Sequence, residues 1–185
     1  MAAELAAKQL GLLHELLPAA VRFAVLVNPD NPKNNEFVIR DAQAAATAFG
    51  RQIEVLTAST NRDIDGAFAI LAQKRVDALL VGPDALFTSR RVQLATLAVR
   101  YAVPAIYFDR ALAEVGMLMS YGSSNTDRDR LLGTYAGRIL KGEKPADLPV
   151  ARSTKFELVI NLQTARTLGI DIPVTLLARA DEVIE

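Results

Sequence analysis

Three aspartates follow three apolar runs in this chain. Asp30 comes after Phe23–Val27, Asp84 after Ala78–Val81, and Asp109 after Pro104–Ile106. Carboxylates gathered in one place can hold Mg²⁺ or work as acid and base. They can also accept hydrogen bonds from a ligand's ammonium or hydroxyl groups. The blander alternative is that Asx residues start turns and cap helices after strands, so that each aspartate serves its own backbone. Asn28, Asn31 and Asn34 lie around the first aspartate, and Tyr107 and Tyr121 fall near the later loops. Asx groups beside aromatic walls describe a small-molecule cleft, with the two tyrosines able to place a hydroxyl in it. Phe87 and Phe108 lack a polar handle and read more readily as core.

Other chemistries lack their residues. There is no Cys, which excludes disulfides and thiolates, and there is one His, His14. A zinc site would have to be mostly carboxylate, an unusual set. His14 lies beside Glu15 on the first helix and reads as a surface residue. No G-x-G-x-x-G follows a strand, and neither a P-loop nor a G-x-S-x-G elbow is present. A phospho-receiver would carry an acidic pair after its first strand, where this chain has Asn28, and no strand ends in the required Lys. No catalytic residue, metal site or cofactor is therefore assigned. Lys+Arg and Asp+Glu are both 21, a balance without the basic excess of a nucleic-acid binder. No apolar run approaches the ~20 residues of a membrane span, and Met1–Leu10 lacks the pattern of an export signal.

The elements that must position these residues follow from periodicity. Helices are expected over 4–17, 34–49 and 123–140, with one more after Thr60–Asp63 whose buried stripe is Ile64, Ala67, Phe68 and Leu71, and another contained in 86–101. Strands are expected over 22–27, 52–56, 77–81, 103–107 and 156–160, with a short one over 117–121. Thr60-Asn-Arg-Asp63 has the form of a capping box with Asp at N3. Pro18 ends the first helix, Gly50 the second, and Asn161 opens a short helix that Gly169 closes. The alternation of strand and helix predicts an α/β fold with a doubly wound parallel sheet and flanking helices. Such a sheet presents its loops at the carboxyl ends of the strands, where open α/β sheets bind ligands.

Several segments carry a family resemblance: Lys8-Gln-Leu-Gly-Leu-Leu-His-Glu-Leu-Leu-Pro18, Ala24-Val-Leu-Val-Asn-Pro29, Asp77-Ala-Leu-Leu-Val-Gly82, Leu118-Met-Ser-Tyr-Gly122, Ala136-Gly-Arg-Ile-Leu-Lys-Gly-Glu-Lys-Pro-Ala-Asp147 and Lys155-Phe-Glu-Leu-Val-Ile-Asn161. In this order they resemble the ABC-transporter substrate-binding protein family, in the branch that includes aromatic-amino-acid-type binders. The resemblance runs from about Glu4 to Glu185. It implies a type I periplasmic-binding-protein fold, with two α/β lobes joined by crossover segments and the ligand between them. The chain resembles the second half of such a protein. A signal peptide or lipobox and most of a first lobe would precede it, and the location would be periplasmic. Residues 1–122 would form one ligand-binding lobe. Residues 123–150 would be a crossover helix and linker belonging with the first lobe, and 151–185 a return to the second.

The resemblance also assigns ligand-binding positions. Asn28 and the Asn31–Asn34 turn match the polar loop after the first strand of this lobe, Asp84 the acidic residue after the third, Tyr107 and Asp109 the next loop, and Tyr121 the crossover. Ala85 stands where the aromatic-amino-acid branch commonly has Asn, a departure that bears on ligand class. The implied function is solute binding for an ABC permease, with an amino acid or aromatic compound as ligand. A ligand-sensing domain of a regulator and a small Mg-dependent enzyme using Asp30, Asp84 and Asp109 are the alternatives. The apolar stripe Leu131, Leu132, Tyr135 and Ile139 would lose its partner in this half-protein, which leads to the expectation of a homodimer through Thr126–Leu140.

Overall fold

A computed structural model describes residues 2–150 and 155–185. In chain order the elements are α1 (Ala2–Leu16), β1 (Arg22–Val27), α2 (Pro32–Ala48), β2 (Gln52–Thr57), α3 (Asn61–Gln73), β3 (Ala78–Val81), α4 (Ala85–Ser89), α5 (Arg91–Arg100), β4 (Ala105–Tyr107), α6 (Arg110–Glu114), β5 (Met119–Ser123), α7 (Asn125–Leu140), β6 (Phe156–Asn161), α8 (Leu162–Leu168), α9 (Val174–Leu177) and β7 (Glu182–Ile184). The strands form one sheet in the order β2-β1-β3-β4-β5-β6-β7. The first five run parallel, β6 is antiparallel to β5, and β7 is parallel to β6.

The strands alternate their side chains between two helical layers, as the two-residue period of a strand requires. Phe23, Val25 and Val27 of β1 join Leu10, Leu13, Val38 and Ala42 of α1 and α2. Ala24 and Leu26, the intervening residues, join Ile64, Phe68, Leu94 and Leu112 of α3, α5 and α6. Ala78 and Leu80 divide from Leu79 and Val81 of β3 in the same way. Each such Leu, Ile or Phe removed from water contributes roughly 1.5–3 kcal/mol. Continuous apolar strands are what a sheet covered on both faces needs.

The doubly wound expectation is met, with three local differences. The stretch 86–101, expected to contain a helix, holds α5 and most of α4, divided at Arg90. Short α6 and β7 were not legible, since five and three residues are too few to show a period. The helix expected from 123 starts at Asn125, because Ser124 caps it instead of joining it. The capping box is present: Thr60 Oγ1 accepts from Asp63 N at 3.2 Å and the Asp63 carboxylate accepts from Thr60 N at 2.9 Å. His14 corrects its surface reading. It is half-buried and stacks on Phe49 at 4.5 Å, with Nδ1 buried and without a hydrogen-bond partner.

Residues 156–184 return to the same sheet as β1–β5. The boundary expected at 151 lies outside the described residues. α7 has no buried residue, and Leu132, Ile139 and Leu140 of its apolar stripe are all exposed.

Candidate ligand-binding edge

The strand order reverses at β1. The chain winds from β1 through α2 to β2 on one side, then through α3 to β3 on the other. Helix α2, which follows β1, lies on one face of the sheet, and α4 and α5, which follow β3, lie on the opposite face. The loops after β1 and β3 therefore leave the same edge toward opposite faces and open a crevice between them. This is the topological switch point of an open α/β sheet, the place where such sheets take ligands.

Asp84 stands at that point, on the loop after β3. Its Oδ1 accepts from Asn28 Nδ2 at 3.0 Å and from Leu86 N at 2.8 Å, and its Oδ2 accepts from Asn31 Nδ2 at 3.0 Å. Both amides belong to the loop after β1, so the carboxylate ties the two sides of the crevice together. Asn34 Nδ2 adds a bond to Pro83 O at 3.0 Å, and Asn35 Nδ2 donates to Asn28 O. Partial burial would raise the Asp84 carboxyl, but the amides of Asn28 and Asn31 and the Leu86 N–H outweigh it and hold the group below the usual carboxylate value. Asp84 is therefore an anion at neutral pH, held by neutral amides. A carboxylate has about four acceptor directions, and three are filled here. Among the described residues no donor fills the fourth direction.

Gly82 lets β3 reach this loop. A Cβ there would lie 3.0 Å from Leu26 O and 3.3 Å from Val27 Cγ1. The first residue of the loop after β1 and the last residues of β3 thus approach closely enough for the Asn28–Asp84 bond.

Tyr107 does not reach the crevice surface. Its register partner is Ser120, and strand parity turns its ring into the layer of α3, α5 and α6, where it is fully buried. Its hydroxyl lies 3.0 Å from Thr88 Oγ1 and donates to Asp84 O at 3.1 Å. Burial pushes the phenol up to about 12, so it remains a neutral donor. Tyr107 thus supports the Asp84 loop from beneath. Tyr121 goes to the other face, in phase with Met119, and stacks on Phe156 at 5.8 Å. The sequence grouped the two tyrosines by proximity along the edge; the parity of their strands separates them. Phe87 is fully buried and Phe108 packs against the same layer as Tyr107.

Asp109 caps α6, its Oδ1 accepting from Ala111 N at 3.0 Å. The same oxygen accepts from Asn125 Nδ2 at 3.0 Å. Asn125 was not singled out from the sequence. Its only signal there is its place in Ser123-Ser-Asn-Thr-Asp127, a helix start. Asp30 is exposed, and its N–H donates to Asn28 Oδ1 at 3.1 Å. Among the described residues no group of three or more His, Asp or Glu side chains is arranged to hold a metal ion, so Asp30, Asp84 and Asp109 do not form the Mg²⁺ cluster of the enzyme alternative. Beside the Asp84 cluster, a groove of about 600 Å³ runs from Pro29 between β2 and α3, lined in part by Thr57, Ser59, Arg62 and Ile70.

Known proteins share this architecture. The pattern of the family described as ABC transporter substrate binding protein matches residues 2–184. Over 161 residues the chain is 24% identical to a tyrosine-binding protein of Clostridioides difficile (strain R20291), covering 87% of this chain and 46% of that protein. The solved ABC domain from Streptococcus pneumonia in complex with L-Trp is 28% identical, with a TM-score of 0.83 over 97% of this chain and 62% of that one. A conserved domain protein from Vibrio cholerae O1 biovar eltor is 26% identical, with a TM-score of 0.84 over 96% of this chain and 60% of that one. The chain spans about half the length of the curated relative it matches. These likenesses give no support to a homodimer through α7. With nearly its whole length matched by the family's pattern, the chain belongs to the ABC transporter substrate-binding protein family.

Proposed function

We propose that this chain is the C-terminal, ligand-bearing lobe of a periplasmic solute-binding component of an ABC import system. It takes an amino acid or an aromatic compound in a cleft between this lobe and another, without catalysis, and presents the closed form to a permease. The observation that carries the reading is the Asp84 carboxylate at the β1/β3 switch point, braced by Asn28 and Asn31 with one acceptor direction left open. An anion so placed suits a ligand's ammonium or hydroxyl. The L-Trp complex and the tyrosine-binding relative favour an amino acid as the ligand class. In this reading Asn28, Asn31, Asn34, Asp84 and Asp109 form one wall, Tyr107 supports it, and Tyr121 flanks it. The exposed stripe of α7 packs against the other lobe. Domain closure around the ligand is the signal the permease reads.

The test is a thermal-shift and calorimetric screen of L-Trp, L-Tyr, other amino acids and their deaminated analogues, run on a form of the protein carrying both lobes. An amino acid should bind, and Asp84→Ala should weaken it at least tenfold. The 185-residue chain alone should show no sub-micromolar binding, because half a cleft leaves half the contacts unmade. Unchanged affinity in Asp84→Ala, or no binding by any compound of the panel, would count against the proposal.

A further inference from the structure

Among the described residues, the hydrogen bonds that join the exposed helix α7 to the sheet and its loops lie at its N-terminal end, while Tyr135 Oη donates to Pro149 O at 2.6 Å and Arg138 pairs with Glu143 in the segment that follows the helix. Ser124 is buried, its N–H donates to Lys155 O at 2.9 Å, and its Oγ accepts from Asp127 N at 3.4 Å. Just before it, Gly122 passes so close to the loop after β4 that a Cβ would fall 1.8 Å from Phe108 O. Just after it, Asn125 donates to Asp109. Beyond this first turn no residue of α7 is buried. The direction in which the helix leaves the sheet is therefore set within a few residues, and among the described residues the side-chain bond from α7's first turn to the loop after β4 runs from Asn125 to Asp109, at the edge where Asp84 also lies.

We infer that Asn125 is a positioning residue: its hydrogen bond to Asp109 fixes the direction in which α7 departs from the ligand-bearing edge. Asp109 Oδ1 is shared between the α6 cap and this bond, so the carboxylate serves the crossover before it serves any ligand. The bond itself stands on geometry alone. Its consequence, that α7 sets how another lobe meets this edge, rests on the function proposed above.

The test needs no ligand, so its outcome is separable from that of the binding screen. Amide exchange is followed at residues 127–130 of the 185-residue chain, relative to the core amides of β3. Asn125→Asp places a second carboxylate against Asp109 and should lower protection in the first turn about tenfold, the worth of one charge-assisted bond. Asp109→Asn alone should change little there, because its carboxamide oxygen still accepts from Ala111 N and Asn125. In an Asp109→Ala background the same Asn125→Asp change has no carboxylate to meet and should cost no further protection at these amides. A helix-propensity or folding effect of residue 125 would persist in that background. Unchanged protection in Asn125→Asp, or an equal further loss when residue 109 is Ala, overturns the inference. If Asn125→Asp also loses core protection, Asn125→Ser, which removes the amide without adding charge, is held to the same tenfold expectation.

Discussion

Gly122→Ala measures how tightly β5 is seated against the loop after β4. Residue 122 lies in β5, paired with Glu157 of β6, while its open side faces the loop after β4. An added Cβ would stand 1.8 Å from Phe108 O and 2.7 Å from Phe108 C, against an ordinary contact of 3.4–4 Å. The obstacle is main chain, which cannot rotate away as a side-chain tip does. One of the two backbones must retreat by about 1.6 Å, the difference between 3.4 and 1.8 Å, straining the β5–β6 ladder or the Asp109 loop. Overpacking of this kind costs typically 1–3 kcal/mol, and backbone against backbone belongs at the upper end, about 3 kcal/mol. With a urea m-value of ~2 kcal/mol/M the unfolding midpoint should fall by ~1.5 M. Gly66→Ala is the control. It lies inside α3 where a Cβ would meet nothing within 4 Å, and it should gain roughly 0.5–1 kcal/mol from helix propensity. Urea melts followed by circular dichroism give both numbers. A Gly122→Ala midpoint within ~0.25 M of the parent at unchanged m would refute the close-approach argument.

Asp84→Asn should destabilise the protein by about 1 kcal/mol at pH 7, because an amide nitrogen would replace the oxygen that accepts from Asn31. The folded Asp84 carboxyl lies below its ordinary 3.8, so its stabilisation is complete above that value and is lost as pH falls through the lowered one. A deficit equally large at pH 3 and pH 7 would contradict the assignment. Tyr107→Phe removes a buried hydroxyl from Asp84 O and Thr88. It should cost about 1–2 kcal/mol in urea melts and speed exchange at Leu86 and Phe87, and unchanged exchange there would show that the phenol does not support the loop. Thr60→Ala breaks the capping box and should speed exchange in the first turn of α3 roughly fivefold, with little effect in α5. An equal loss in both helices would indicate global destabilisation instead of a lost cap.

Much of the fold was legible because its signals are local. The limits of β1 were readable from its apolar run, the start of α3 from Thr60 and Asp63, and both ends of α8 from Asn161 and Gly169. Each reflects a backbone preference or a single side-chain bond within four residues. The break at Arg90 was not legible, since the apolar period passes through it without interruption. Nor was the packing of His14, whose partner Phe49 lies on another helix.

At the site, the residue types came from the sequence and their jobs came from the fold. Asp30, Asp84 and Asp109 look equivalent in the sequence, each an aspartate after an apolar run. The sheet order makes them different. Asp84 lies where the winding reverses, opposite Asn28 and Asn31, 56 and 53 positions away in the chain. Asp109 lies one strand along, after β4, and accepts from Asn125, and Asp30 stays in solvent. Tyr107 and Tyr121 likewise look like two walls of one pocket until strand parity sends them to opposite faces. The sequence by itself determined the elements, the covered sheet and the edge at which polar loops collect, because these depend on period and composition. Which carboxylate is braced as an anion, which tyrosine is buried and which asparagine bonds to Asp109 were decided only by tertiary structure, because hydrogen bonds depend on distance and direction between strands that are far apart in the chain.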